Sequence, residues 1–209
     1  MYNVIFDLDG TLWDATKIVA VAFREYLHEN YDPNFYVTED VLMGLFGKTM
    51  RDIAMELFPS ETKERQEELL AGCCEREHEH LEKTPAELYP KVEETLQKLM
   101  DLGCRLFVVS NSQAGYIELF IKAKRLEKYF EGHLCYGDTG RPKSYNIQKI
   151  VEDYRIENPL YVGDTDGDHK AAVKAGVPFV FATYGYGKTE NPRFRIDEFE
   201  ELLKIVKES

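Results

Sequence analysis

The chain has 209 residues, 44% of them hydrophobic and 31% charged, and carries a net charge of −12. Such a chain can bury a sizeable core, while its acidity speaks against nucleic acid or an anionic membrane as a main partner, because both attract basic surfaces. A small anionic substrate stays open, since a bound cation reverses the field locally.

Residues 2–7 read as a buried strand that runs straight into "DLDGTLWD", where Asp7 and Asp9 stand two apart. Two like charges beside a core strand are costly unless something compensates them. From Thr16 to Lys83 the pattern turns helical, in "TKIVAVAFREYLHENY", "TEDVLMGLF" and "SETKERQEELLAGCCEREHEHLEK". Ser60 is the expected cap of the last segment, Leu69, Leu70, Cys73 and Cys74 mark its apolar stripe, and its many charges read as a solvated face.

After Pro85 helices and strands alternate. A helix from Pro90 is closed by Gly103, and the strand "CRLFVVSN" and the helix "QAGYIELFIKAKRL" follow. Next come the strand "GHLCYG", the helix "SYNIQKIVEDYRI", the strand "PLYVGD", the helix "GDHKAAVKAG", the strand "PFVFATY" and a last helix, "DEFEELLKIVKE". This alternation predicts an α/β fold, a parallel sheet with helices on both faces. Roughly ninety residues separate the first two strands, far more than one crossover needs. Residues 15–83 are therefore expected to form a helical insertion on an α/β core made of 1–14 and 84–209.

The cysteines, Cys73, Cys74, Cys104 and Cys135, form no CxxC pair and read as reduced thiols of an intracellular protein. No apolar run reaches the length of a membrane span, and no basic and apolar leader precedes Asp7, so a cytoplasmic location is expected.

In open parallel sheets ligands bind outside the carboxyl ends of the strands. The residues that follow the strands here are Asp7 and Asp9, then Ser110 and Asn111, then Asp164 with Asp166 and Asp168, while Arg141 and Lys143 precede a helix. Each alone is an ordinary loop polar; together they bring carboxylates, a hydroxyl, an amide and a cation to one sheet edge.

In this order "DLDGT", "VVSN", the isolated Lys143 and "VGDTDGD" resemble the four motifs of the haloacid dehalogenase-like (HAD) phosphohydrolases. The resemblance covers the whole chain, including a helical cap between the first two motifs, as in the phosphoglycolate phosphatase-like and β-phosphoglucomutase-like branch. It implies a Rossmann-like core and a Mg²⁺-dependent phosphatase of a small phosphorylated metabolite. Asp7 is then the nucleophile and Asp9 the acid and base. The side chains of Asp7 and Asp164 and the carbonyl of Asp9 hold the metal. Ser110 and the amide of Asn111 bind the phosphoryl oxygens, Lys143 neutralises charge, and Asp168 orients Lys143 or water. Relatives that displace halide or work through a lysine imine lack the Asp9 carboxyl, so its presence favours phosphate esters.

One departure is the third motif, where lysine commonly precedes proline in relatives; here the order is "GRPKS" and Arg141 competes with Lys143. In the insertion, Lys48 and Arg51 are candidate contacts to the distal part of the substrate. Tyr184 and Tyr186 are either structural or site-lining.

Three weaker signals fail. "ATYGYGKT" approximates a P-loop, but Pro192 is a poor continuation of the helix that must follow. "DTDGDH" starts like an EF-hand, yet its glycine is misplaced and Ala175 stands where the bidentate glutamate belongs. His78 and His80, two apart on a helix, do not share a face. A phosphosugar mutase is the alternative enzyme, and a non-catalytic phosphate-sensing protein the alternative outside catalysis. Nothing in the sequence fixes the oligomeric state.

Overall fold

The structure, a computed structural model, describes residues 2–207; Met1, Glu208 and Ser209, which the sequence reading assigns to the core, lie outside the described residues. The chain begins with β1 (Asn3–Phe6) and β2 (Trp13–Asp14), then four helices, α1 (Thr16–Asn30), α2 (Glu39–Leu45), α3 (Met50–Leu57) and α4 (Lys63–Lys83). It returns through β3 (Glu87–Leu88), α5 (Val92–Asp101), β4 (Leu106–Ser110), α6 (Tyr116–Lys124), β5 (Gly132–Cys135), α7 (Tyr136–Thr139) and α8 (Lys143–Asp153). It ends with β6 (Pro159–Gly163), α9 (Asp166–Ala175), β7 (Phe179–Ala182), β8 (Phe194–Ile196), a 3₁₀ turn (Phe199–Glu201) and α10 (Leu202–Lys207).

Six strands form one parallel sheet in the order β5-β4-β1-β6-β7-β8. The chain builds outward from β1 to β4 and β5, then reverses to β6, β7 and β8. The reversal lies beside β1, so the crevice at its carboxyl end is where ligands of such sheets bind.

Strand side chains alternate between faces. Val4 and Phe6 on β1, Leu106 and Val108 on β4, and Leu160 and Val162 on β6 join Leu96, Phe120 and Phe199 in one core cluster. Ile5, Phe107, Val109 and Tyr161 point the other way, into a cluster with Ile147 and Ile150 of α8 and Ala172 of α9. Both faces are thus covered, which is why these strands are apolar throughout. Among the described residues no helix is long and apolar enough to cross a membrane.

Several details differ from the sequence reading. Helix α4 starts two residues after the expected cap region of Ser60, because the Thr62 hydroxyl accepts the amide of Arg65 and caps it there. Lys91, with φ +65°, delays α5 to Val92. The final helix opens with a 3₁₀ turn, and α3, α7, β8 and the antiparallel pair β2–β3 were not individually expected. These pieces are short, and the strands among them owe their existence to a partner distant in sequence: Trp13 pairs with Leu88, and Val180 with Phe194.

Candidate active site

The turn after β1 carries Asp7, which is 3% exposed. Its Oδ1 accepts from Lys143 Nζ at 2.8 Å, and the same ammonium reaches Asp168 Oδ1 at 2.5 Å. Lys143 opens α8 and Asp168 lies in the first turn of α9, so three elements converge. Burial opposes the Lys143 charge, but Asp168 and Asp7 outweigh it and push its pKa up, which keeps it an ammonium. Arg141, the competing cation, is exposed and lies over the ring of Tyr145.

Asp9 meets different company. Its Oδ1 accepts from Trp13 Nε1 and from the Tyr116 hydroxyl, each at 2.9 Å. Burial raises its pKa to about 6, against the pull of these two hydrogen bonds. Asp7 is raised to about 7, by burial first and then by Asp168, with Lys143 opposing.

Asp164, directly after β6, is fully buried; its Oδ2 accepts the backbone N–H of Tyr186 at 2.8 Å, and the Thr11 hydroxyl stands 3.4 Å from Oδ1. Burial, then Asp168 and Asp7, raise its pKa well above the usual carboxylate range. Carboxylate oxygens of Asp7, Asp164 and Asp168 lie within 4.8 Å of one another. One ammonium cannot neutralise three buried carboxylates, so the cluster suits a hard cation with oxygen ligands. The available acceptors are unequal. Both oxygens of Asp168 are engaged, Oδ1 by Lys143 and Oδ2 by the amide and hydroxyl of Thr165. Among the described residues, Oδ2 of Asp7 accepts no hydrogen bond and Oδ1 of Asp164 only the long one from Thr11.

At the end of β4, Ser110 Oγ accepts the amide of Ser112 at 3.2 Å. Oδ1 of Asn111 and Oγ of Ser112 are buried without a hydrogen-bond partner, and both residues line the cavity over Asp7 and Asp9. Orphaned buried polar atoms cost free energy unless a ligand satisfies them. Asn111 also donates from Nδ2 to the Gly47 carbonyl at 2.7 Å, tying β4 to the loop between α2 and α3.

The inserted helices roof this cavity with Leu42, Phe46, Met50 and Leu70. Lys48 lines it, with Nζ held by both oxygens of Glu56 at 2.8 and 2.6 Å. Arg51 lies instead in a wider outer cleft of about 680 Å³ that shares Met50, Leu70, Cys74 and Gln113 with the cavity. Tyr184 donates its hydroxyl to the Thr11 carbonyl, and Tyr186 donates its own to Asp14 while its ring packs on Phe46.

Sequence reasoning missed Ser112, Thr11, Tyr116 and Glu77. Glu77 was read among the solvated charges of α4, yet it is 4% exposed. A signal existed: Cys73, Glu77 and Leu81 are spaced by four, and all three are buried on one face. Ser112 stands two residues past Ser110, and both line the cavity. Tyr116 had no such signal, because its contact with Asp9 joins distant elements.

The weaker signals behave as read. No helix follows "ATYGYGKT" before β8, α9 begins at Asp166 where an EF-hand needs a loop, and His78 and His80 face Gln113 and Glu25.

Comparison with known proteins now adds to this geometry. The sequence model of the haloacid dehalogenase-like hydrolase family matches residues 4–182. The chain belongs to that family. Among curated HAD relatives, pyrophosphatase PpaX of Bacillus anthracis is 29% identical over 213 residues, which span 98% of this chain and 95% of the relative. A crystal structure of a predicted phosphoglycolate phosphatase from Haemophilus somnus superposes with a TM-score of 0.81 at 24% identity, covering 99% of this chain and 98% of that one. A haloacid dehalogenase-like hydrolase from Streptococcus pneumoniae gives 0.84 at 19% identity over 99% and 98% of the two chains. CbbY from Rhodobacter sphaeroides, solved in complex with phosphate, gives 0.81 at 16% identity over 97% and 96%. The HAD fold and the hydrolase class expected from the motifs are thereby established.

Proposed function

We propose that this HAD hydrolase is a Mg²⁺-dependent phosphatase of a small phosphorylated metabolite, working through an aspartyl phosphate on Asp7. The observation that carries this reading is the unlike surroundings of two carboxyl groups two residues apart. Asp7 sits on the Lys143 ammonium, whereas Asp9 is held by neutral donors, Trp13 Nε1 and the Tyr116 hydroxyl. Environments that separate two carboxyls in this way divide nucleophile from proton carrier.

With Oδ1 on Lys143, Oδ2 of Asp7 is free to attack phosphorus in line. The new O–P bond forms as the ester P–O bond breaks, and Asp9 gives its proton to the departing oxygen. Asp9 then takes a proton from the water that attacks the same phosphorus, which releases phosphate and restores Asp7. The unpartnered Ser112 hydroxyl, with Ser110 and the Asn111 amide, supplies donors to the phosphoryl oxygens.

Mg²⁺ would be held by Asp7, Asp164 and the Asp9 carbonyl, and when bound it offsets phosphoryl charge and keeps its carboxylates ionised. Without a cation Asp7, at about 7, stands above Asp9, at about 6. A cation held by Asp7 and Asp164 would lower the Asp7 value, because it stabilises only ionised carboxylates. Residues 15–83 act as a cap over the core of 1–14 and 84–209, with Lys48 toward the substrate and Arg51 at the outer cleft.

The test is a panel of phosphate monoesters with purified protein and Mg²⁺, run beside Asp7→Asn. Metal-dependent phosphate release that the mutant loses supports the reading. No release, or unchanged release in the mutant, removes it. A sugar phosphate rearranged without release selects the mutase instead.

A further inference from the structure

The part of the cavity next to Asp9 must receive the leaving group, because Asp9 protonates the departing oxygen. Helices α1 to α4 contribute apolar lining to this cavity with Phe23, Leu45, Ile53 and Leu70. Two charged side chains interrupt that surface, Lys48 and Glu77. Lys48 is neutralised by Glu56, whose two oxygens take its ammonium on the solvent side. Among the described residues Glu77 has no cationic partner. It is 4% exposed, accepts from Gln113 Nε2 at 3.0 Å through Oε2, and forms no ion pair among the described residues. The Tyr116 hydroxyl interacts with both Glu77 and Asp9, so the carboxyl of Glu77 stands one side chain away from the proton carrier.

We infer that Glu77 is a specificity-determining residue, selecting a phosphate ester whose leaving group carries an ammonium or hydroxyl donor near the ester oxygen and no second anionic group. This rests on the phosphatase reading and refines it. A buried carboxyl with one amide donor still has acceptor capacity, which an ammonium or hydroxyl a few bonds from the ester would fill. Burial pushes the Glu77 carboxyl up to about 8, so above that pH a second phosphate or a carboxylate at the same place would meet a carboxylate that has no cationic partner. Arg51 does not line this cavity; it lines the outer cleft. The chain would therefore depart from the substrate chemistry in the names of PpaX and of the Haemophilus somnus protein, pyrophosphate and phosphoglycolate, whose leaving groups are anionic.

The test compares kcat/KM, with Mg²⁺ at pH 9 where Glu77 is ionised, for 2-aminoethyl phosphate, 2-hydroxyethyl phosphate, pyrophosphate, phosphoglycolate and p-nitrophenyl phosphate, in wild type and in Glu77→Gln. Wild type should prefer the better of the two donor-bearing esters over both anionic substrates by at least about tenfold, since like-charge juxtaposition is costly. Preference for the aminoethyl or the hydroxyethyl ester tells which donor is read. Glu77→Gln should shrink the ratio of donor-bearing to anionic substrates by about tenfold. Pyrophosphate or phosphoglycolate cleaved as well as the donor-bearing esters, or a ratio that Glu77→Gln leaves unmoved with its melting temperature intact, overturns the inference. If the variant does not fold, the wild-type ranking alone decides. Release from p-nitrophenyl phosphate with the wrong ranking removes this inference only, whereas no release from any ester removes the phosphatase reading with it.

Discussion

Asp7 and Asp9 share a turn but not a chemistry, and the difference lies in what reaches them. Lys143 arrives at Asp7 from α8, and Trp13 and Tyr116 arrive at Asp9 from β2 and α6. If Asp9 carries the proton, Asp9→Asn should slow hydrolysis of alkyl phosphates by about 10²–10⁴-fold. The loss should be smaller for p-nitrophenyl phosphate, whose leaving oxygen needs little protonation; steady-state kinetics on both esters decides. The carboxyl cluster also predicts a pH dependence of stability. Asp7 moves from 3.8 to about 7 on folding and Glu77 from 4.5 to about 8. Between those values the native chain holds protons that the unfolded chain has released, so the metal-free protein should lose stability as pH rises from about 4 to about 8. Mg²⁺ competes with those protons and should raise the melting temperature more at pH 8 than at pH 5. Melting curves in chelator that stay flat or rise over that range would contradict this.

At the scale of elements, the site depends on a turn that only glycine fits easily. Gly10 has φ +79°, and a Cβ there would stand 2.2 Å from Oδ2 of Asp164. Gly10→Ala should displace Asp164, cost about 1–2 kcal/mol of stability for the backbone alone, and lower kcat/KM by about 10²-fold through misplacement. A mutant with wild-type kinetics would show that Asp164 is not needed where it stands. Elements also decide what could be read in advance. The strand ends were legible because each motif is contiguous: Asp7 with Asp9, Ser110 with Asn111, Asp164 with Asp168. Lys143 could be preferred to Arg141 because it lies nearest the start of α8, and it indeed reaches Asp7. Tyr116 and β8 were hidden because their partners, Asp9 and β7, lie elsewhere in the chain. Glu77 was misread because a charge-rich helix invites the solvated reading, even though its spacing from Cys73 and Leu81 marked a buried face.

Over the whole molecule, a parallel sheet reversing beside β1 gathers the polar motifs at one edge, and residues of α1 to α4 line the cavity there with them. The net charge of −12 makes the site's own electrostatics decisive, since an anionic substrate gains nothing from the surrounding surface. Lys143, the unpartnered Ser112 hydroxyl and a cation on the carboxylate cluster must supply the attraction. The account stands on the covalent role of Asp7. Its most direct test is an acid quench during the first turnover with a labelled phosphate ester and Mg²⁺, followed by peptide mapping. The predicted result is a hydroxylamine-sensitive phosphoryl label on the peptide containing Asp7, absent from Asp7→Asn. Label on another residue, or phosphate released by Asp7→Asn at the wild-type rate, would contradict it.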